Sequence, residues 1–176
     1  MTEQLVIAAL GEDRPGLVDQ LSGWILDSGC NIADSRMMVL GGEFSVLLLV
    51  SGNWNKLARL EDQVGQIEQK LGMSLSVKRT ETKQRTGKFL PYAVDVVALD
   101  HPGIVHNLAN FFSRRSINIQ DLSTTSYAAA HTGTMMFAVH MCLDVPADTH
   151  IATLREEFLE FCDQLNLDAV IEPLKG

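Results

Sequence analysis

The chain has 176 residues, 46% hydrophobic and 20% charged, which supplies core for one compact domain or two of about 80 to 90 residues and excludes a disordered polymer. Its net charge of −8 and pI near 5.0 exclude the cationic footprint that unaided nucleic-acid binding draws on, so no direct high-affinity nucleic-acid binding is expected. No apolar run reaches the roughly 18 residues of a bilayer span, and the N-terminus lacks a signal-peptide order, so a cytoplasmic protein without membrane contact is expected.

Leu5–Leu10, "LVIAAL", reads as a first strand. It is followed by "DRPGLV" at residues 13–18, and then by apolar residues Leu17, Val18, Leu21, Trp24 and Ile25 at the spacing of an amphipathic helix. Pro15 suits a first helical position, where its missing N–H has no partner to lose, and Gly16 removes a side chain beside it. Such a helix start offers free N–H groups and partial positive charge to a carboxylate or phosphate. By itself the pair is as readily only a helix start.

"NIADSRMMVL" and "EFSVLLLV" read as two strands joined through Gly41-Gly42, a pair suited to a hairpin turn. Leu57, Leu60, Val64, Ile67 and Leu71 mark a second helix, and "LSVKR" a closing strand. The sequence that follows, "RTETKQRTGKFLP", is polar, basic and free of any stripe. Lys78, Arg79, Lys83, Arg85 and Lys88 gather five of the 14 basic residues in the overlapping run "KRTETKQRTGK"; they read as a solvated linker, with a local nucleic-acid contact the alternative.

The second half repeats the first. "DHPGIV" at residues 100–105 copies "DRPGLV" 87 positions on, and Ile104, Val105, Leu108, Phe111 and Phe112 copy the first stripe. "YAVDVVAL" precedes it as a strand, and "NIQDLSTTSYA" and "TMMFAVHMCL" follow as the hairpin. Ile151, Leu154, Phe158, Phe161 and Leu165 repeat the second stripe at an offset of 94, which places seven extra residues around "YAAAHTG" and "DVPADTH". "AVIEP" closes the unit. The expected fold is α+β: two tandem ferredoxin-like βαββαβ domains, each an antiparallel four-stranded sheet with its helices on one face, spanning 1–79 and 92–176 about a linker at 80–91.

Asn31 and Asn118 repeat 87 residues apart at the entry to the second strand of each unit. Their amides can read a ligand or cap the turn, and topology alone does not establish whether they meet Asp13 or Asp100. Cys30, Cys142 and Cys162 are odd in number, lack C-x-x-C spacing and read as reduced thiols. No H-E-x-x-H, G-x-S-x-G or phosphate-loop pattern surrounds the five histidines or the glycines, and the paired methionines at 37–38 and 135–136 read as core or sheet-face residues. An acylphosphatase-like enzyme would need Arg14 poised at its glycine loop, and His101 replaces it in the second copy. No enzyme activity and no cofactor or metal is expected.

"DRPGLV…GCNIAD" and "DHPGIV…SINIQD", each within a βαββαβ order, resemble ACT domains, small modules that bind amino acids and regulate metabolic enzymes and transcription factors. Two such units with nothing else resemble the glycine cleavage system transcriptional repressor family. That resemblance implies a non-catalytic repressor with a small amino acid, glycine, as its signal and a DNA-bound transcription activator protein as its partner; a homodimer is left open. The alternative is an amino-acid-sensing regulatory subunit of a metabolic enzyme. It also implies ligand contacts from the loop before helix one, at Asp13, Pro15, Gly16 and Leu17 with Asn31, and at Asp100, Pro102, Gly103 and Ile104 with Asn118. Many ACT loops carry Asn where Asp13 and Asp100 stand, and an acid there suits a ligand's ammonium end.

Overall fold

The computed structural model describes residues 3–81 and 87–174. The chain divides into two compact units, residues 1–84 and 85–176. The first contains β1 (Glu3–Glu12), α1 (Leu17–Asp27), β2 (Asn31–Leu40), β3 (Glu43–Gly52), α2 (Trp54–Leu71) and β4 (Ser74–Thr80). The second contains β5 (Phe89–Leu99), α3 (Ile104–Ser113), β6 (Asn118–Ala128), β7 (Met135–Pro146), α4 (Ile151–Gln164) and β8 (Asp168–Pro173). Each unit forms one antiparallel four-stranded sheet, in the orders β2-β3-β1-β4 and β6-β7-β5-β8. This is the ferredoxin-like plan expected from the repeat.

Strand alternation and helix stripes meet in one core per unit. In the first, Leu5, Ile7 and Ala9 of β1 and Phe44, Val46, Leu48 and Val50 of β3 point inward onto Leu17, Leu21, Trp24 and Ile25 of α1 and Leu57 and Leu60 of α2. In the second, Val94, Val96 and Ala98 with Val139, Met141 and Leu143 meet Ile104, Leu108, Phe111, Phe112, Leu154 and Phe158. Burying each large apolar side chain contributes about 1.5–3 kcal/mol. The second core is the more aromatic, with Phe112 and Phe158 ring centroids 5.1 Å apart.

Helices α2 and α4 begin with side-chain caps. Asn53 accepts from the Lys56 N–H at 3.0 Å, and His150 Nδ1 accepts from the Thr153 N–H at 3.3 Å. Gly72 ends α2 in the left-handed region, at φ 65°, and its N–H donates to the Glu68 carbonyl at 2.9 Å.

Pairing register fixes where the halves differ. Ala8 faces Leu47, and its counterpart Asp95 faces His140, so an offset of 87 on the first strand becomes 93 on the third. Six of the seven extra residues therefore lie in the β6–β7 hairpin, within the region expected. Both edge strands carry an irregularity at one matching place, between Ile32 and Asp34 and between Ile119 and Asp121. The extra residue leaves Asn31 and Asp34 on the same sheet face although they are three apart.

Several expectations change. Pro91 lies inside β5 rather than at the end of a linker, and Lys78 and Arg79 lie within β4 instead of belonging to a solvated run. Arg79 donates to Glu61 at 2.9 and 2.7 Å and to Glu3 at 2.7 Å, so its charge is committed within the unit. Lys83 and Arg85, and with them the middle of the segment at 80–91, lie outside the described residues. Of the two positions expected for the methionines, Met37 and Met38 take the sheet face, about half exposed on β2, and Met135 is half exposed at the start of β7.

Candidate functional site

Each Pro-Gly turn leads into a helix that has no side-chain cap. Pro15 and Pro102 stand in the turn and not at the first helical position, because Gly16 and Gly103 occupy the N-cap at φ 93° and 96°. That backbone is left-handed, which glycine adopts without the steric penalty a β-carbon brings. The Gly16 carbonyl accepts from the Gln20 N–H at 3.0 Å and the Gly103 carbonyl from the Asn107 N–H at 2.9 Å. The preceding first-turn N–H groups have no acceptor four residues back, the situation that attracts an anion.

The residues around the two turns differ. A cleft of about 580 Å³ opens at the second, lined by Asp100, His101, Pro102, Gly103, His106 and Phe137 among others. The position matching His106 in the first unit is Asp19, an acid already in the first turn of α1. The second turn thus presents two imidazoles to an incoming carboxylate, and the first presents an extra negative charge.

Sequence-expected residues fall into two separated groups. Leu17 and Ile104 are buried in their cores, so only their backbone is offered at the turn. The Asp13 N–H donates to the Gly42 carbonyl at 3.0 Å, and the Asp100 N–H to the Met135 carbonyl at 2.9 Å, which anchors both turns at the hairpin end of the sheet. Asn31 and Asn118 stand at the other end, opposite Ser51 and Asp144. Nine residues of strand separate Gln4, across from Ser51, from Asp13, a span of about 30 Å. Within one unit Asn31 therefore does not meet Asp13, and Asn118 does not meet Asp100.

Arg14 turns away from its loop and donates to the Leu71 carbonyl at the end of α2, at 3.1 Å, which removes the poised guanidinium that an acylphosphatase-like site requires. His101 Nδ1 lies 3.0 Å from the Pro102 carbonyl.

Two further residues belong to the turns. Gln20 Nε2 lies 3.7 Å, and Asn107 Nδ2 3.8 Å, from where a β-carbon would stand on Gly16 and Gly103. They correspond under the 87-residue offset. Extending that offset to polar positions on the helices would have found them.

The chain is similar to known proteins over nearly its whole length. Residues 3–78 match the ACT-domain family model. The glycine cleavage system transcriptional repressor of Escherichia coli (strain K12) is 30% identical over 167 residues, covering 95% of this chain and 88% of that protein. The chain belongs to the glycine cleavage system transcriptional repressor family. The same identity and coverage hold for the protein of that name from Shigella flexneri. A crystal structure of a protein provisionally named a glycine cleavage system transcriptional repressor superposes with a TM-score of 0.76 at 28% identity, over 100% of this chain and 99% of that one. An unknown protein from Galdieria sulphuraria shares the fold, with a TM-score of 0.80 at 22% identity over 99% and 100%. The chain is thus a tandem ACT protein of a regulatory family, and among the described residues no helix is long and apolar enough to cross a membrane.

Proposed function

We propose that the protein is a cytoplasmic transcriptional repressor of the glycine cleavage system that senses glycine and acts through a DNA-bound activator rather than by holding DNA itself. The observation that carries the sensing role is the pair of uncapped helix starts behind Pro15-Gly16 and Pro102-Gly103, in units whose other helices are capped by Asn53 and His150. An amino acid supplies what such a start lacks, a carboxylate for the first-turn N–H groups, and an ammonium group for the neighbouring Asp13 or Asp100. Membership of the glycine cleavage system transcriptional repressor family favours glycine as that amino acid.

The second turn is the stronger site in this reading, since His101 and His106 line it and Asp19 opposes a carboxylate at the first. The acidic net charge of −8 supports action through a protein partner, because repulsion from phosphate disfavours an independent grip on the promoter. Titration calorimetry with a panel of amino acids tests the sensing role: glycine is expected to bind at millimolar concentration or better, and Gly103→Ala to lose that binding. No heat from any amino acid would remove the sensing role and leave the repressor role standing. A gel shift in which the protein alone bound the promoter tightly at physiological salt would remove the activator-mediated mechanism.

A further inference from the structure

We infer that Cys142 is a nucleophilic thiol served by His140 as base and Asp95 as the carboxylate orienting the ring, making the outer face of the second sheet a site of reversible oxidation by hydroperoxides. Along β7, Val139, Met141 and Leu143 point into the core, so His140 and Cys142 project from the opposite face. Asp95 of β5 is the register partner of His140, and its Oδ1 lies 2.7 Å from His140 Nδ1. On the other side of the ring, Nε2 lies 3.7 Å from Cys142 Sγ. A proton on Nδ1, where it meets the carboxylate, leaves the Nε2 lone pair directed at the thiol. Nucleophile, base and orienting group thus stand in the order that activates serine and cysteine nucleophiles.

The fold does not demand this trio. In the first unit the same three register positions hold Ala8, Leu47 and Leu49, and the sheet forms equally well. Nor are the other cysteines comparable. Cys30 and Cys162 are buried in their cores, and burial pushes both thiols up, Cys162 to about 12, so neither ionises readily. Cys142 is only partly buried, and the side chains of His140 and Asp95 are 44% and 56% exposed, open to a small reagent.

The surroundings select the reagent. Asp121 faces Cys142 from β6, Asp144 stands two residues along β7, and Asp168 and Glu172 lie on β8. These carboxylates repel anionic disulfides, so a small neutral oxidant is favoured. Acyl transfer is disfavoured because β7 is paired on both sides, with β5 and β6, and its N–H groups are engaged in the ladders rather than gathered as oxyanion donors. Metal binding is disfavoured too, since among the described residues no three His, Cys, Asp or Glu side chains are arranged to hold an ion.

In the step, the thiol proton passes to His140 Nε2 and sulfur attacks one peroxide oxygen. The S–O bond forms as the O–O bond breaks, and the departing hydroxide takes the proton from His140 to leave as water. Sulfur is oxidised by two electrons to a sulfenic acid, and the peroxide is reduced. Cys162 sits on α4, on the other face of the sheet, so the sulfenic acid is returned to the thiol by a low-molecular-weight thiol through a mixed disulfide.

The test uses the full chain, treated with hydrogen peroxide in the presence of dimedone and mapped by peptide mass. Adduct is expected on Cys142 and not on Cys30 or Cys162. Alkylation of Cys142 by iodoacetamide in His140→Gln is expected to be at least about tenfold slower than in the unmodified chain at about pH 7. The deficit should shrink to about twofold at about pH 9.5, where cysteine ionises unaided, and Asp95→Asn should fall between. No adduct on Cys142, or wild-type alkylation by His140→Gln at about pH 7, overturns the inference. A deficit undiminished at high pH also overturns it, since His140 would then act on packing rather than as a base.

Discussion

Ser126 donates from Oγ to Asp100 Oδ2 at 3.1 Å, and the residue matching Ser126 in the first unit is Val39, which has no donor to offer Asp13. The repeated acid is therefore held in a fixed orientation in one unit and lacks that restraint in the other. If Asp100 reads the ammonium group of glycine, Ser126→Ala should weaken binding at the second turn by about fivefold, in keeping with a single hydrogen bond to a charged group at a solvated site. Calorimetry on this variant checks the assignment, and unchanged affinity would place Asp100 outside the contact.

Gly16→Ala and Gly103→Ala should each cost about 1–2 kcal/mol of unfolding free energy through backbone strain alone, because no atom lies closer than 3.7 Å to the added β-carbon. Urea unfolding measures it. Replacement by Asn, which tolerates left-handed backbone better, should cost less at both positions. Equal losses for Ala and Asn would mean that the turn relaxes out of its present conformation.

Phe158→Ala should destabilise the second unit by about 3–5 kcal/mol. Phe158 is fully buried, with ring centroids 5.3 Å from Phe111 and 5.1 Å from Phe112. The matching position in the first unit is Val64, only partly buried, so Val64→Ala should cost much less. Thermal unfolding followed separately for the two units would read the difference, and comparable losses would contradict the packing described.

Glu61 gives the first unit an acid-sensitive element. Hydrogen bonds from Arg79 hold its carboxyl below the ordinary value near 4.5, against a smaller opposing effect of burial. A carboxyl lowered on folding stabilises above its unfolded value, and that contribution is lost as pH falls through the folded one. Glu61→Gln should therefore cost about 0.5–1 kcal/mol near neutrality, modest because the pair is part-exposed. The gap from the unmodified chain should close below about pH 4.5. Denaturant titrations across that range follow it, and a gap independent of pH would assign the loss to packing.

Most of the architecture was legible because each half spells it independently. The strands Asn31–Leu40 and Asn118–Ala128 have the bounds their sequence predicts, since β-branched and apolar residues there are flanked by turn signals on both sides. The apolar stripe marks α2 only from Leu57, because Trp54 at its start is exposed and adds nothing to the stripe. Leu165 continues its stripe in sequence yet lies at the C-cap of α4, where packing persists after the helix has ended. The site was less legible. Asp13 and Asn31 are close in sequence but sit at opposite ends of a sheet, and His140 and Asp95 are 45 residues apart yet face each other across a ladder. Such partnerships are set by register, which local motifs do not encode.

The bulge after Asn31-Ile32, repeated after Asn118-Ile119, separates the editable from the uneditable parts of each edge strand. The two halves have diverged freely at the hairpin tip, which spans two residues in one and six in the other, while the bulge stands at the same place in both. Length at the tip is thus a variable on which new partners or ligands can be grafted without altering the strand's phase. Removing Ala33 or Gln120 would leave the flanking residues on their present faces and only straighten the strand, whereas removing a paired residue would turn over one section of it and exchange its two faces.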